Sequence, residues 1–230
     1  MARIILIETS TALCSTALAE DGKIVSYLES ETPRSQASLT APFVKRMLDE
    51  RGLAVRDCDA VCVSKGPGSY TGLRVGVSTT KGLCFGAGIP LIAVGTLDTL
   101  VYQAADEGLL PEGCRYVVPM VDARRMEVYT AVFTPEGKQL TETRPKIIEA
   151  GDFADLLAEG PVLFIGDGAD KCREVLAHPA AHFVQCCPKA SAMLRPACAA
   201  FEEGRFEDTA YFEPFYLKDF IATVPRNKIF

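Results

Sequence analysis

Two carboxylates in this 230-residue chain sit where chemistry could be done: Glu8, in Ile7-Glu8-Thr9-Ser10, and Asp122, in Asp122-Ala123-Arg124-Arg125. Each follows an apolar run, Ile4-Ile5-Leu6-Ile7 or Val117-Val118-Pro119-Met120-Val121, which reads as a buried strand delivering an acid to a turn. Thr9 and Ser10 beside one acid, and Arg124 beside the other, are groups that can face a phosphate. The bland alternative at Asp122 is a hairpin corner with solvated charges. A third segment, Gly66-Pro67-Gly68-Ser69-Tyr70-Thr71-Gly72, precedes a helical pattern, and Gly68 and Ser69 could offer backbone N–H groups to phosphate. It lacks the Lys-Ser/Thr ending of a P-loop and the spacing of GxGxxG. A tight strand-to-helix turn accounts for its glycines more simply.

Other reactive sets are weaker. His178, His182 and Cys186 are of zinc-ligand type, but Pro179 breaks a helical histidine pair, and these are the only two histidines. Cys58 and Cys62 have no second pair at zinc spacing. Ser78-Thr79-Thr80-Lys81 matches S-x-x-K, yet it lies mid-helix without the companion motifs of serine acyl enzymes. No metal site and no catalytic residue is expected. Nine scattered cysteines suit reduced thiols in a cytosol. A net charge of −6, without a basic stripe, excludes a chain that grips RNA unaided. No stretch approaches the length of a membrane span, so a cytoplasmic protein is expected.

The elements that must position these groups follow from periodicity. Strands are predicted at 3–8, 13–19 and 23–29, with Asp21-Gly22 as a hairpin turn. A helix follows near 35–51, then a strand at Ala60–Val63, a helix at 71–87 closed by Gly88, a strand at 90–94 and a helix near 96–107. The pattern restarts near 115. Asp122 is followed by Glu136-Gly137-Lys138 much as Glu8 is followed by Asp21-Gly22-Lys23. Then come a strand at 162–165, the loop Gly166-Asp167-Gly168-Ala169, a helix, a strand at 182–186 and a helix near 190–203. This predicts an N-terminal lobe over 1–105 and a C-terminal lobe over 106–230, with the last segment returning toward the first lobe. The class is α/β: mixed sheets flanked by helices in two lobes of the actin, hexokinase and Hsp70-like (ribonuclease H-like) kind. In that class Gly166–Ala169 resembles the adenosine-side loop, although a bare helix-start turn would look the same.

Ile7-Glu8-Thr9-Ser10, Lys65 through Gly76, Asp122 through Tyr129 and Pro214-Phe215-Tyr216-Leu217-Lys218 together closely resemble the bacterial TsaB (YeaZ) family. The similarity runs over essentially the whole chain. It implies a role in making threonylcarbamoyladenosine beside the anticodon of tRNAs that read codons starting with A. It further implies a non-catalytic scaffold that pairs with a homologous, metal-bearing TsaD subunit and a TsaE ATPase. tRNA would be reached only through that assembly, and the chain alone would form a homodimer. No cofactor of its own is implied; ATP or ADP would sit at the interface of the complex. TsaD-type chains carry histidines on the helix after the first hairpin, where this sequence reads Pro33-Arg34-Ser35-Gln36-Ala37-Ser38-Leu39. Glu8 stands where the family usually has Asp. The competing possibility is an independent nucleotide-dependent phosphotransferase of the same fold class.

Helix 71–87 is apolar over most of its circumference, which calls for cover on more than one side. Gly72, Leu73, Gly76, Val77, Thr80 and Leu83, with Leu39, Phe43 and Met47 of the preceding helix, are expected to form the partner surface. The alternative is that the helix at 35–51 simply covers this face within the monomer.

Overall fold

The computed structural model describes residues 2–217, so Lys218 of the last motif lies outside the described residues. Strand β1 (Arg3–Glu8) is buried on both sides because it is central. It pairs antiparallel with β2 (Cys14–Glu20) and parallel with β4 (Ala60–Gly66). Strand β3 (Lys23–Ser30) and strand β5 (Leu91–Gly95) complete the order β3-β2-β1-β4-β5. The second sheet repeats it. Strand β6 (Tyr116–Asp122) is central, flanked by β7 (Glu127–Thr130) and β8 (Arg144–Ile147) on one side and by β9 (Val162–Ile165) and β10 (Ala181–Val184) on the other. Antiparallel hairpins feeding parallel strands, twice in one chain, are the two-lobed class expected from the sequence.

Alternation along β1 decides which helices go where. Ile5 and Ile7 face α1 (Gln36–Asp49) and α2 (Tyr70–Ala87), which pack side by side through Val44, Met47, Leu48, Val77 and Cys84. Ile4 and Leu6 face the opposite way, onto Ala190, Met193, Ala197 and Ala200. Those four belong to a 3-10 turn (Ala190–Met193) and α5 (Leu194–Glu202), which follow the last strand of the second sheet. In return α3 (Thr96–Asp106), which follows β5, buries Leu97, Leu100, Val101 and Ala104 against Val117, Val121, Leu163 and Ile165 of the second sheet. Each sheet is therefore covered by the closing helix of the other. A cut between residues 105 and 106 separates the strands of the two sheets but runs across both of these packings.

The exchange predicts a measurable coupling. Met193 is fully buried on the first sheet although it lies beyond every strand of the second. Met193→Ala should cost about 2 kcal/mol and lower the urea midpoint of one cooperative transition. Two separate transitions, with only one displaced, would show that the lobes are not locked together by their exchanged helices.

The second lobe is thinner than its sequence pattern suggested. After Gly166 the helix shrinks to a 3-10 turn, Asp170–Cys172, and α4 (Ala154–Glu159) is short. Positive φ at Gly22, Gly88 and Gly137 marks the turns where glycine was expected to end an element.

Candidate functional site

β1 ends at Glu8, and Thr9 and Ser10 then run against the start of α2; all three are fully buried. Ser10 N–H donates to Glu8 Oε1 at 2.6 Å, and Ser69 N–H donates to the Ser10 carbonyl at 2.6 Å. Thr9 Oγ1 donates to the Gly72 carbonyl at 2.7 Å. The glycines permit this approach. A Cβ built on Gly68 or Gly72 would overlap the carbonyl oxygen of Ser10 or Thr9, and one on Gly76 would overlap Thr9 Oγ1. Gly68, Gly72 and Gly76 therefore line a channel filled by the chain's own turn. Ser69 is exposed, and its hydroxyl caps α2 by accepting from Gly72 N–H at 3.3 Å.

Burial pushes the Glu8 carboxyl up to about 7, against the pull of the Ser10 N–H, which favours the charged form. Glu8 Oε2, Ser10 Oγ and Thr11 Oγ1 are buried without a hydrogen-bond partner among the described residues. A carboxyl so enclosed can hold a proton, but it presents no face to a substrate arriving from water.

The second acid differs. Asp122 is exposed and is held by Lys171, whose Nζ also donates to the Glu127 carbonyl at 2.6 Å. Asp122 N–H donates to Asp167 Oδ1 at 2.8 Å, and burial pushes Asp167 up to about 6. Arg124 N–H donates to Asp122 Oδ1 at 3.1 Å, and its φ of 74° turns the exposed side chain off the hairpin. A magnesium nucleotide does not fit this pair of turns. One carboxyl is fully buried, Thr9 and Ser10 occupy the space beside the glycines, and the other carboxyl is paired with Lys171.

Packing within the chain takes up six of the nine residues of the expected partner surface. Gly72, Leu73, Gly76, Val77 and Thr80 are buried, as is Met47, whose sulfur accepts from Thr16 Oγ1 at 3.6 Å. Leu39, Phe43 and Leu83 are half-buried. The buried six face the chain's own interior because α2 must seat both β4 and residues 9–10, whereas Leu39, Phe43 and Leu83 stay partly open. The outward side of α2 is instead Thr71, Arg74, Ser78, Gly82, Phe85 and Gly86, with Phe85 87% exposed. Lys81, the lysine of the S-x-x-K match, donates to the carbonyls of Ala210 (3.0 Å) and Phe212 (3.1 Å), tying the late segment to α2. The same segment is fixed by Phe215 N–H to the Lys65 carbonyl and by Tyr216 against Tyr70, which carries Arg74 over its ring at 4.2 Å. His178 and His182 are exposed and Cys186 is half-buried; among the described residues no three His, Cys, Asp or Glu side chains converge as a metal site. Lys171 and Phe85 escaped the sequence reading, as did the tethering role of Lys81, because nothing local distinguishes them from ordinary helix or loop residues.

Fold and site together define a two-lobed actin- and hexokinase-like protein with one acid-bearing turn buried and the other exposed and paired with a lysine. The family model for TsaD, tRNA N6-adenosine threonylcarbamoyltransferase, matches residues 30–226. The Escherichia coli tRNA threonylcarbamoyladenosine biosynthesis protein TsaB is 31% identical over 96% of both chains. Its Bacillus subtilis namesake is 31% identical over 71% of this chain and 70% of its own. The solved structure of YeaZ from Pseudomonas aeruginosa superposes with a TM-score of 0.82 at 27% identity, covering 94% of this chain and all of that one. The chain belongs to the TsaB (YeaZ) family.

Proposed function

We propose that the chain acts in tRNA threonylcarbamoyladenosine biosynthesis as a non-catalytic subunit of the threonylcarbamoyltransferase assembly. Its place in the pathway rests on the TsaB relatives and on the match to the TsaD family model. The scaffold role rests on one observation above all: the groups that would do chemistry are consumed by the fold, while α2 leaves a large aromatic, Phe85, in water. The exposed side of α2, together with the exposed residues Ala37, Ala41 and Lys45 of the neighbouring α1, is the surface offered to a homologous TsaD-type subunit. Small residues at Ser78, Gly82 and Gly86 let a partner helix approach closely, and Phe85 supplies the apolar anchor. The same surface serves self-association when the partner is absent. A TsaE-type ATPase and tRNA join through the assembly, and any ATP or ADP is held with those subunits.

No helix among the described residues is long and apolar enough to cross a membrane. A cytosolic place for the chain suits its nine free cysteines. A buried Glu8 and an Asp122 paired with Lys171 do not favour an independent phosphotransferase.

Phe85→Glu is the test, because residue 85 touches no core and the variant should keep its circular dichroism spectrum. Co-purified with the TsaD homologue of the same cell, it should lose the heterodimer on a sizing column, with affinity down at least about 100-fold. Pairing at parental affinity would place the interface elsewhere.

A further inference from the structure

Beyond the acid-bearing turns, a groove of about 800 Å³ lies where the ends of β4 and β5 meet the β7–β8 connection and the late segment. The walls are fixed: Glu207 N–H donates to the Leu91 carbonyl at 2.9 Å, Phe215 N–H donates to the Lys65 carbonyl at 2.7 Å, and Lys81 holds the stretch between them. Glu142, Glu207 and Glu213 line the groove from separate parts of the chain, and all three are exposed. None of the three forms an ion pair among the described residues. Asp98 adds a fourth carboxyl, pushed up by burial at the start of α3, and Lys65 is the one cation in the lining among the described residues. Two aromatic rings stand open to water at the same place, Tyr211 at 84% and Phe215 at 43% exposure.

Four carboxyls gathered around one lysine repel, and exposed rings gain nothing from water. Arginine and lysine side chains answer both features at once: the apolar stem and cationic head lie on an aromatic face, and the head pairs with a carboxylate. We propose that this groove receives an extended, arginine- or lysine-bearing segment of a partner polypeptide. An extended chain suits it better than a small cation. The carboxylates are spread over three segments, and Tyr211 stands too far into solvent for a small ion to cover it together with them. Binding is rim electrostatics plus ring stacking, so it weakens with salt.

Fluorescence anisotropy of the full chain with a fluorescein-labelled nonapeptide of alternating Arg and Gly tests this. Saturable binding is expected, falling at least about tenfold in Glu142→Lys/Glu213→Lys and about threefold in Tyr211→Ala. A control pair far from the groove, Glu112→Lys/Glu174→Lys, makes the same change in net charge and should bind like the parent. Equal loss in both pairs would reduce the effect to attraction by an acidic protein and overturn the proposal. So would spermidine displacing the labelled peptide at lower concentration than unlabelled peptide does, since the site would then belong to a free polyamine. A groove variant that converts a dimer of the chain to monomer in sedimentation would assign the groove to a second copy and also overturn it.

Discussion

Gly72→Ala should lower the urea midpoint sharply, a loss of at least ~4 kcal/mol against a typical total of about 5–15. Helix propensity alone argues the other way, since alanine in place of glycine gains up to about 1 kcal/mol in a helix interior. Contact geometry decides the sign. A Cβ at position 72 would overlap the Thr9 carbonyl oxygen, which is backbone and cannot rotate aside. That backbone is pinned by Thr9 to Gly72 and by Ser69 to Ser10, so relief requires lifting α2 off the sheet it covers. Gly82 provides the internal control. It lies on the outward side of the same helix with nothing near the Cβ position, so Gly82→Ala should raise the urea midpoint. Midpoints that move in the same direction for both variants would show that residues 9–10 are not seated on α2.

The second large effect is on the pH dependence of stability. Glu8 has its carboxyl raised from 4.5 to about 7 by burial, so the folded chain binds a proton more tightly than the unfolded chain. Its contribution is complete below pH 4.5 and is lost as pH rises through 7. Asp167, raised from 3.8 to about 6, adds a loss of the same sign over a lower window. Glu8→Gln keeps an oxygen to accept from Ser10 N–H and carries no charge to desolvate. The variant should match the parent near pH 4.5 and exceed it near pH 8 by roughly 3 kcal/mol, the gap between 4.5 and about 7. Urea denaturation at several pH values reads this directly. A parent whose stability is flat between pH 5 and 8, or a variant with the same slope as the parent, would show that Glu8 is solvated.

Both results concern residues first noticed for chemistry. Glu8, Thr9 and Ser10 were legible as an acid-and-hydroxyl turn because an apolar run must end where its charge begins. Gly68, Gly72 and Gly76 were legible as a demand for close approach. What approaches them was not, since a missing Cβ fits a phosphate oxygen and a carbonyl oxygen equally well. The same limit applies to α2. Its composition requires cover on several sides, and periodicity cannot say whether the cover is the chain's own sheet or another molecule. Gly72, Leu73, Gly76, Val77 and Thr80 turned inward, and only the register of α2 on β4 and the 9–10 turn left Phe85 outside.

By itself the sequence determined the repeated strand, acid and hairpin, the positions of α1, α2 and α3, and the family resemblance. These are features of short range, written in alternation, helical period, caps and turns that span a few residues each. Tertiary structure alone decided that α3 and α5 exchange sheets, that Lys171 neutralises Asp122 from 49 positions away, and that Lys81 holds Ala210 from 129 positions away. Such partners meet only once strand order and helix register have brought distant stretches together. A lysine's sequence surroundings carry no trace of the carboxylate or carbonyl it will find.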